Sequence, residues 1–146
     1  MVVRVIEKKD KQVWVDLFKK YLAFYKTSLP EENINTTWDR FFDDKEPVYA
    51  AVAEVEGKVI GFVTWVYHRS TWAITPVIYL HDLYVDEDVR LKGIGRLLIE
   101  HVYADAEKNG VKKVYWHTQH FNHRAQLLYT KVATKNDFVS YQKLFQ

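Results

Sequence analysis

Residues Tyr79 to Glu100 read YLHDLYVDEDVRLKGIGRLLIE, an apolar, β-prone run that meets a short acidic loop, two glycines and then an amphipathic helix. Ile78, Tyr79, Leu80, Leu83, Tyr84 and Val85 predict a largely buried strand, which Asp86 to Asp88 end with turn-forming residues. Beyond Arg90, Leu91 and Lys92, the positions Ile94, Leu97, Leu98, His101, Val102 and Ala106 recur at three- and four-residue steps, the spacing of one helical face. Gly93 and Gly95 omit Cβ where main chain can approach a ligand closely. The first amides of the helix lack internal partners and lie at the positive end of its dipole, so they can hold an anion without any side chain. Arg90, Lys92 and Arg96 add cations at the same place, and together these features predict a ligand that carries phosphates.

Two familiar glycine-rich phosphate motifs do not fit. A dinucleotide fingerprint needs a third glycine where Leu98 stands, and a P-loop needs Gly-Lys-Ser/Thr, which is absent. The pattern Arg90-x-x-Gly93-x-Gly95, following Asp82-Leu83-Tyr84-Val85, resembles the acetyl-coenzyme A signature of the GNAT family of N-acetyltransferases. The plainer alternative is an ordinary strand-to-helix turn whose glycines serve packing.

The 146 residues, 48% apolar and 16% aromatic, suit one domain with a sizeable core spanning 1–146. Lysine and arginine number 21 against 19 acidic residues, with both signs scattered, so no basic stripe points to nucleic acid. The absence of cysteine excludes disulfides, thiol nucleophiles and cysteine metal sites. No apolar run approaches the roughly 20 residues of a spanning helix. Met1-Val2-Val3-Arg4 reads as a strand rather than a signal peptide, and a cytoplasmic location without membrane partners is the expectation.

In chain order, Val2 to Ile6 predicts a strand, and Asp10 is placed to cap a helix with Trp14, Leu17, Phe18, Tyr21 and Tyr25 on one stripe. A second helix is expected from Glu31 to Asp43, burying Ile34, Trp38, Phe41 and Phe42. These rings can simply cover a sheet, or Tyr21, Tyr25 or Trp38 can line an acceptor pocket. Val48 to Val55 and Lys58 to Tyr67 form a predicted hairpin around Glu56-Gly57. After the central helix, Asn109-Gly110 is a stop signal and Lys113 to Thr118 a buried strand, joined to the central one by a right-handed crossover.

Asn122-His123-Arg124-Ala125-Gln126-Leu127-Leu128-Tyr129-Thr130-Lys131 predicts a further helix. Asn122 is its cap, and Asn122, Ala125 and Tyr129 share one face, where a small residue between an amide and a phenol leaves a slot. This segment resembles the second GNAT motif, an Asn and a small residue followed by Leu-Tyr before Lys. With both motifs in order on the expected elements, the sequence is identified as a member of the GNAT family, similar over nearly its whole length to the small Hpa-type enzymes linked to histone, polyamine and D-amino-acid acetylation. LHDLYVDE and NHRAQLLY carry that closer likeness.

The resemblance implies an α+β GNAT fold, a mixed central sheet of about six to seven strands flanked by about four helices. It also implies acetyl-CoA as cosubstrate with no metal. Main-chain amides of Leu83, serving the thioester carbonyl, and Val85, serving the pantetheine arm, would flank Tyr84. The amides of Arg90, Leu91, Lys92, Gly93, Ile94, Gly95 and Arg96 would hold the pyrophosphate. Asn122, beside Ala125, would bond the pantetheine arm, and Tyr129 would be the general acid toward sulfur. The C-terminal strands of similar small members take part in dimer contacts, which implies a homodimer. Here Val132 to Asp137 intervenes before Phe138, so the last strand, Phe138 to Leu144, starts late.

His81 and Asp82, just before the implied bulge, are the candidate bases, and His81 has a suitable ordinary pKa near 6.5. Period-two alternation puts them on opposite faces, so only one is expected to serve. Glu31, Glu32, Asp43 and Asp44 are further acidic candidates for an amine pocket. His117, His120 and His123 are regularly spaced, but they fall on different elements without a neighbouring carboxylate, which argues against a metal site. The function expected is acetyl transfer from acetyl-CoA to a primary amine of a small molecule, a polyamine or amino acid. The alternatives are a protein or histone lysine acetyltransferase and a non-catalytic acyl-CoA-binding module.

Overall fold

In the computed structural model, which describes residues 1–89 and 93–146, five strands form one sheet in the order β1-β2-β3-β4-β5. They are β1 (Val2–Val5), β2 (Val48–Val55), β3 (Lys58–His68), β4 (Val77–Val85) and β5 (Val114–Tyr115), with helices α1 (Lys11–Phe24), α2 (Glu31–Arg40), α3 (Ile94–Lys108) and α4 (His123–Val132) and a 3-10 turn at Lys8–Asp10. The first four strands pair antiparallel and β4 pairs parallel with β5, so the sheet is mixed.

Side-chain alternation divides the interior into two cores. On one face Trp14, Phe18, Ile34 and Trp38 of α1 and α2 pack on Ala50, Val52 and Phe62. Trp14, fully buried, stacks on Phe18 at 4.9 Å and meets Phe41 edge-on at 5.2 Å. On the other face Ile94, Leu98, Ile99, Val102 and Ala106 of α3 pack on Ala51, Val63, Trp65 and Ile78. The stripe of α3 is rotated from the one expected: Ile99 lies inside, whereas Leu97 is 37% exposed.

Several boundaries differ from the sequence reading. Asp10 does stand at the start of α1, but its carboxylate caps nothing there. It binds the Arg4 guanidinium through two contacts of 2.8 and 3.0 Å and accepts the Glu7 amide at 2.8 Å, tying β1 to the 3-10 turn. Helix α2 stops at Arg40. The expected strand Lys113 to Thr118 contracts to Val114–Tyr115, because only Ile78 and Tyr79 of β4 lie alongside it. Phe138 to Leu144 forms no strand, so the sheet has five strands among the described residues, not six or seven. That segment has no sheet edge beside it to supply hydrogen bonds, and Phe138, Val139, Tyr141, Leu144 and Phe145 are each at least 71% exposed.

Other signals act as read. Glu56 and Gly57 take φ of 51° and 78°, the left-handed pair that closes a tight hairpin between β2 and β3. At the end of α3, Gly110 donates to Glu107 O and Val111 to Ala106 O, a Schellman closure that fixes where the chain turns toward β5.

Candidate active site

The decisive local feature is one extra residue in β4. Its register with β3 runs Thr64↔Asp82 and then Trp65↔Leu80, which leaves His81 as a β-bulge. Ile78 and Leu80 before it and Leu83 and Val85 after it all pack toward α3. Tyr84 turns the other way, into the core under α1. The bulge therefore cancels the alternation expected to separate His81 from Asp82, and His81 Nδ1 lies 3.1 Å from Asp82 Oδ1. Thr64 Oγ1, from a buried residue of β3, donates to the other carboxylate oxygen. The Asp82 side chain is 12% exposed and that of His81 57%. An ionised carboxylate only accepts, so Nδ1 carries the proton and the neutral ring keeps its lone pair on the outward Nε2. This hydrogen bond to Asp82 raises the His81 pKa above its ordinary value, against the opposing effect of burial.

The same bulge sets the direction of the backbone. Asp86 N–H donates to Ile60 O at 2.8 Å, toward β3. Amides alternate along an antiparallel strand, so those of Leu83 and Val85 point away from β3. Among the described residues no strand receives them, since β5 pairs only as far as Tyr115 opposite Tyr79. Past that pair the parallel ladder ends, and the cleft this leaves beside β4 has main-chain donors on one wall, while Leu128 and Tyr129 of α4 pack on the same core cluster as Leu83 and Val85.

Helix α3 starts at one end of this cleft. Gly93 stands before it at φ 86°, a left-handed conformation that suits glycine. Gly95 faces Leu128 of α4, whose side chain would lie at 3.4 Å, an ordinary van der Waals contact, from a Cβ placed there. Leu97 N–H donates to Gly93 O, and among the described residues the amides of Ile94, Gly95 and Arg96 have no acceptor. The Ile94 side chain is in the core. Arg96 Nε pairs with Glu100 at 2.9 Å, so its side chain is partly engaged already. Arg90, Leu91 and Lys92 lie outside the described residues.

Across the cleft, Asn122 caps α4 by accepting the Ala125 amide at 3.3 Å, and its Nδ2 has no partner among the described residues. Tyr129 lies two turns along. Its ring meets Trp116 edge-on at 5.3 Å and joins the core beside α3, while its hydroxyl makes no hydrogen bond among the described residues. Burial pushes its pKa up to about 12, with a smaller contribution from Tyr25, just after α1. Tyr25 is in turn raised by burial and by Asp82. One phenol at the C-terminal end of α1 thus lies within electrostatic reach of both the carboxylate at the bulge and the Tyr129 hydroxyl.

Comparison with known proteins gives the family. The profile of the Acetyltransferase (GNAT) family matches residues 14–133. The D-amino-acid N-acetyltransferase HPA3 of Saccharomyces cerevisiae is 48% identical over 98% of this chain and 90% of its own length. The chain belongs to the GNAT family of acetyltransferases. The uncharacterized N-acetyltransferase YhfO of Bacillus subtilis is 28% identical over 97% of the chain and 95% of its own length. A crystal structure of a probable acetyltransferase superimposes with a TM-score of 0.87 at 21% identity, covering all of this chain and 99% of that one, a likeness of fold.

As a GNAT enzyme the protein is an N-acetyltransferase that uses acetyl-CoA, and the cleft suits that cosubstrate. Outward strand amides can pair with an amide-bearing arm as another strand would, and a helix start such as that of α3 beside Gly93 can take a phosphate oxygen. Among the described residues no group of three or more His, Asp or Glu side chains could hold a metal ion.

Four residues of the site were not singled out as such by the sequence or were left open. Thr64 reads there as an ordinary strand residue, and only the register reveals its bond to Asp82. Tyr21, whose pKa is raised by burial and by the adjacent Asp82, Tyr25 and Tyr79 gather around that carboxylate. Trp38, by contrast, is 5% exposed within the α1–α2 core, and Glu31 is engaged with Lys19 at 2.8 Å.

Proposed function

We propose that this GNAT enzyme transfers the acetyl group to a primary amine of a small molecule, by direct attack while both substrates are bound. The bulge at His81 carries the reading, because one backbone irregularity presents main-chain donors to one side of β4 and an Asp–His pair to the other. The yeast relative is named for D-amino acids, which favours free amino acids over polyamines as the acceptor class.

Acetyl-CoA supplies an activated thioester. Toward it, the Leu83 amide would hold the carbonyl oxygen and the Val85 amide and Asn122 Nδ2 the pantetheine arm, with the α3 amides at the phosphates. Main-chain donors fixed by a strand need little reorganisation as charge develops on an oxygen. On the acceptor side, His81 Nε2 would take the proton of the attacking amine while Asp82, anchored by Thr64, holds the ring. Tyr129 would give its proton to the departing sulfur, and a pKa of about 12 keeps that proton in place at neutral pH. Orientation of the two substrates contributes up to roughly 7 to 11 kcal/mol in well-aligned systems, and each proton transfer roughly a hundred- to ten-thousandfold.

The test is thiol release from acetyl-CoA with spermidine, D- and L-amino acids, an aminoglycoside and a lysine-rich peptide. The protein has no cysteine, so every thiol detected comes from the cosubstrate. Release with a small amine, lost in Tyr129→Phe, supports the proposal; release with the peptide alone would replace it with a protein-lysine acetyltransferase.

A homodimer is also proposed. Phe138, Val139, Tyr141, Leu144 and Phe145 expose large apolar surfaces in a segment that pairs with no strand among the described residues, and a second copy could cover them.

A further inference from the structure

No residue of α4 is fully buried, and Phe121 just before it is 60% exposed, so packing does little to fix the loop that leads from β5 into this helix. Polar contacts fix it instead. Gln126 reaches back past the helix start, and its Nε2 donates to Gln119 O at 3.2 Å and to His120 O at 3.1 Å. Both partners are carbonyls, which only accept, so it is the donor side of this amide that faces them. The main chain supports the same loop: Asn122 N–H donates to Gln119 O at 2.9 Å, and Gln126 N–H donates to Asn122 O at 3.2 Å.

The residue this loop delivers is Asn122. Its Oδ1 is committed to the Ala125 amide at 3.3 Å, so Nδ2 is the group left for the cleft. Where Nδ2 points depends on where the loop sets the Asn122 backbone, and a shift of about 1 Å is enough to spoil such a contact. Gln126 holds the two carbonyls that immediately precede this stretch. Both hydrogens of its amide are spent there, so it acts on the loop rather than donating to a ligand itself.

We propose that Gln126 is a positioning residue for the cosubstrate: it clamps the loop at Gln119 and His120 so that Asn122 Nδ2 meets the pantetheine arm. This rests on the acetyltransferase function proposed above and on the role of Asn122 within it, and it names the side chain through which that role is set. A residue that only supported α4 would change stability without depending on Asn122. A positioning residue acts through Asn122, so the two substitutions are not independent.

The experiment measures coenzyme A binding by calorimetry, with folding checked by thermal melting. Gln126→Glu keeps the shape of the side chain but sets acceptors against both carbonyls, and Gln126→Met removes the polar group while remaining a good helix former. Each is expected to weaken binding about fivefold, the scale of one hydrogen bond, and to raise the KM for acetyl-CoA while kcat and the KM for the amine stay within about twofold. Asn122→Ser, which keeps an oxygen for the Ala125 amide, should cost a similar factor. Gln126→Met added to Asn122→Ser should then cost less than about twofold more. A full fivefold further loss in that background, unchanged binding in both Gln126 variants, or unchanged binding in Asn122→Ser overturns the proposal. No coenzyme A binding by the unaltered protein overturns the acetyltransferase reading itself, a different result.

Discussion

His81 and Asp82 are consecutive in the chain, yet their side chains meet at 3.1 Å, on a strand where neighbours ordinarily point apart. The bulge makes a proton-accepting pair from two adjacent residues, and its pH dependence has a definite sign. The proposed base works when the His81 ring is neutral, so activity should rise with pH through the His81 pKa, which Asp82 holds above its ordinary value. Asp82→Asn removes the main cause of that elevation. The acid limb of kcat/KM against pH should move to lower pH, with a fall of roughly a hundredfold in the plateau rate; an unmoved limb means that His81 is not the group titrating.

Tyr129→Phe deletes one oxygen from a ring already packed on Trp116, so the fold should be kept. Turnover should drop by roughly a hundredfold or more while calorimetry still detects coenzyme A binding. Because the hydroxyl holds its proton up to about pH 12, its ionisation should not depress the wild-type rate at ordinary alkaline pH. A basic limb near pH 9 that vanishes in the Phe variant would contradict the assigned role.

Arg4 and Asp10 are a structural counterpart, with 21% and 5% of their side chains exposed. The Arg4 guanidinium holds the Asp10 carboxyl below its ordinary value, despite burial. A depressed carboxylate stabilises the fold above its unfolded pKa of about 3.9, and this contribution is lost as pH falls through the lower, folded value. Arg4→Gln should lower stability at neutral pH by about 2 to 3 kcal/mol and flatten the acid dependence of the thermal midpoint. Equal acid sensitivity in both proteins would assign the transition to other groups.

Gly61 faces the carbonyl of Tyr84, and an added Cβ would lie 2.9 Å from that oxygen. Gly61→Ala must therefore push β3 from β4 one residue pair away from the cleft. A stability loss of about 1 to 3 kcal/mol is expected, together with weaker coenzyme A binding, since Val85 is the strand partner of Gly61. Unchanged binding would show that the Val85 amide takes no part.

Removal of residues 136–146 should leave the melting temperature of the isolated domain almost unchanged, because the apolar side chains of this segment are exposed. If those side chains cover a second copy, sedimentation should change from dimer to monomer. A dimer that survives the truncation places the interface elsewhere.

Local chemistry explains which features the sequence made legible. The hairpin at Glu56-Gly57, the stop at Asn109-Gly110 and the cap at Asn122 are set by residues next to the feature they specify. The bulge is not, because HDLY has the same β-prone character with or without an extra residue, and only the register with Thr64 and Trp65 reveals it. Asp10 has the composition of a cap, but Arg4 across the turn takes its carboxylate. Val114–Tyr115 and the C-terminal segment show the same limit for strands: the residues favour extended chain, whereas the length of a strand depends on a neighbour the local sequence does not contain.

The outward amides of Leu83 and Val85 have one further consequence, which concerns divergence. A donor that belongs to the peptide bond survives every replacement of the side chain above it, except by proline, which has no N–H. Descendants of such a protein can exchange Leu83 or Val85 freely within the limits of packing and keep the same chemical groups toward the thioester. Insertion or deletion of a single residue near His81 would instead reverse which amides face the cleft. For this strand the length of the segment is under tighter constraint than its letters.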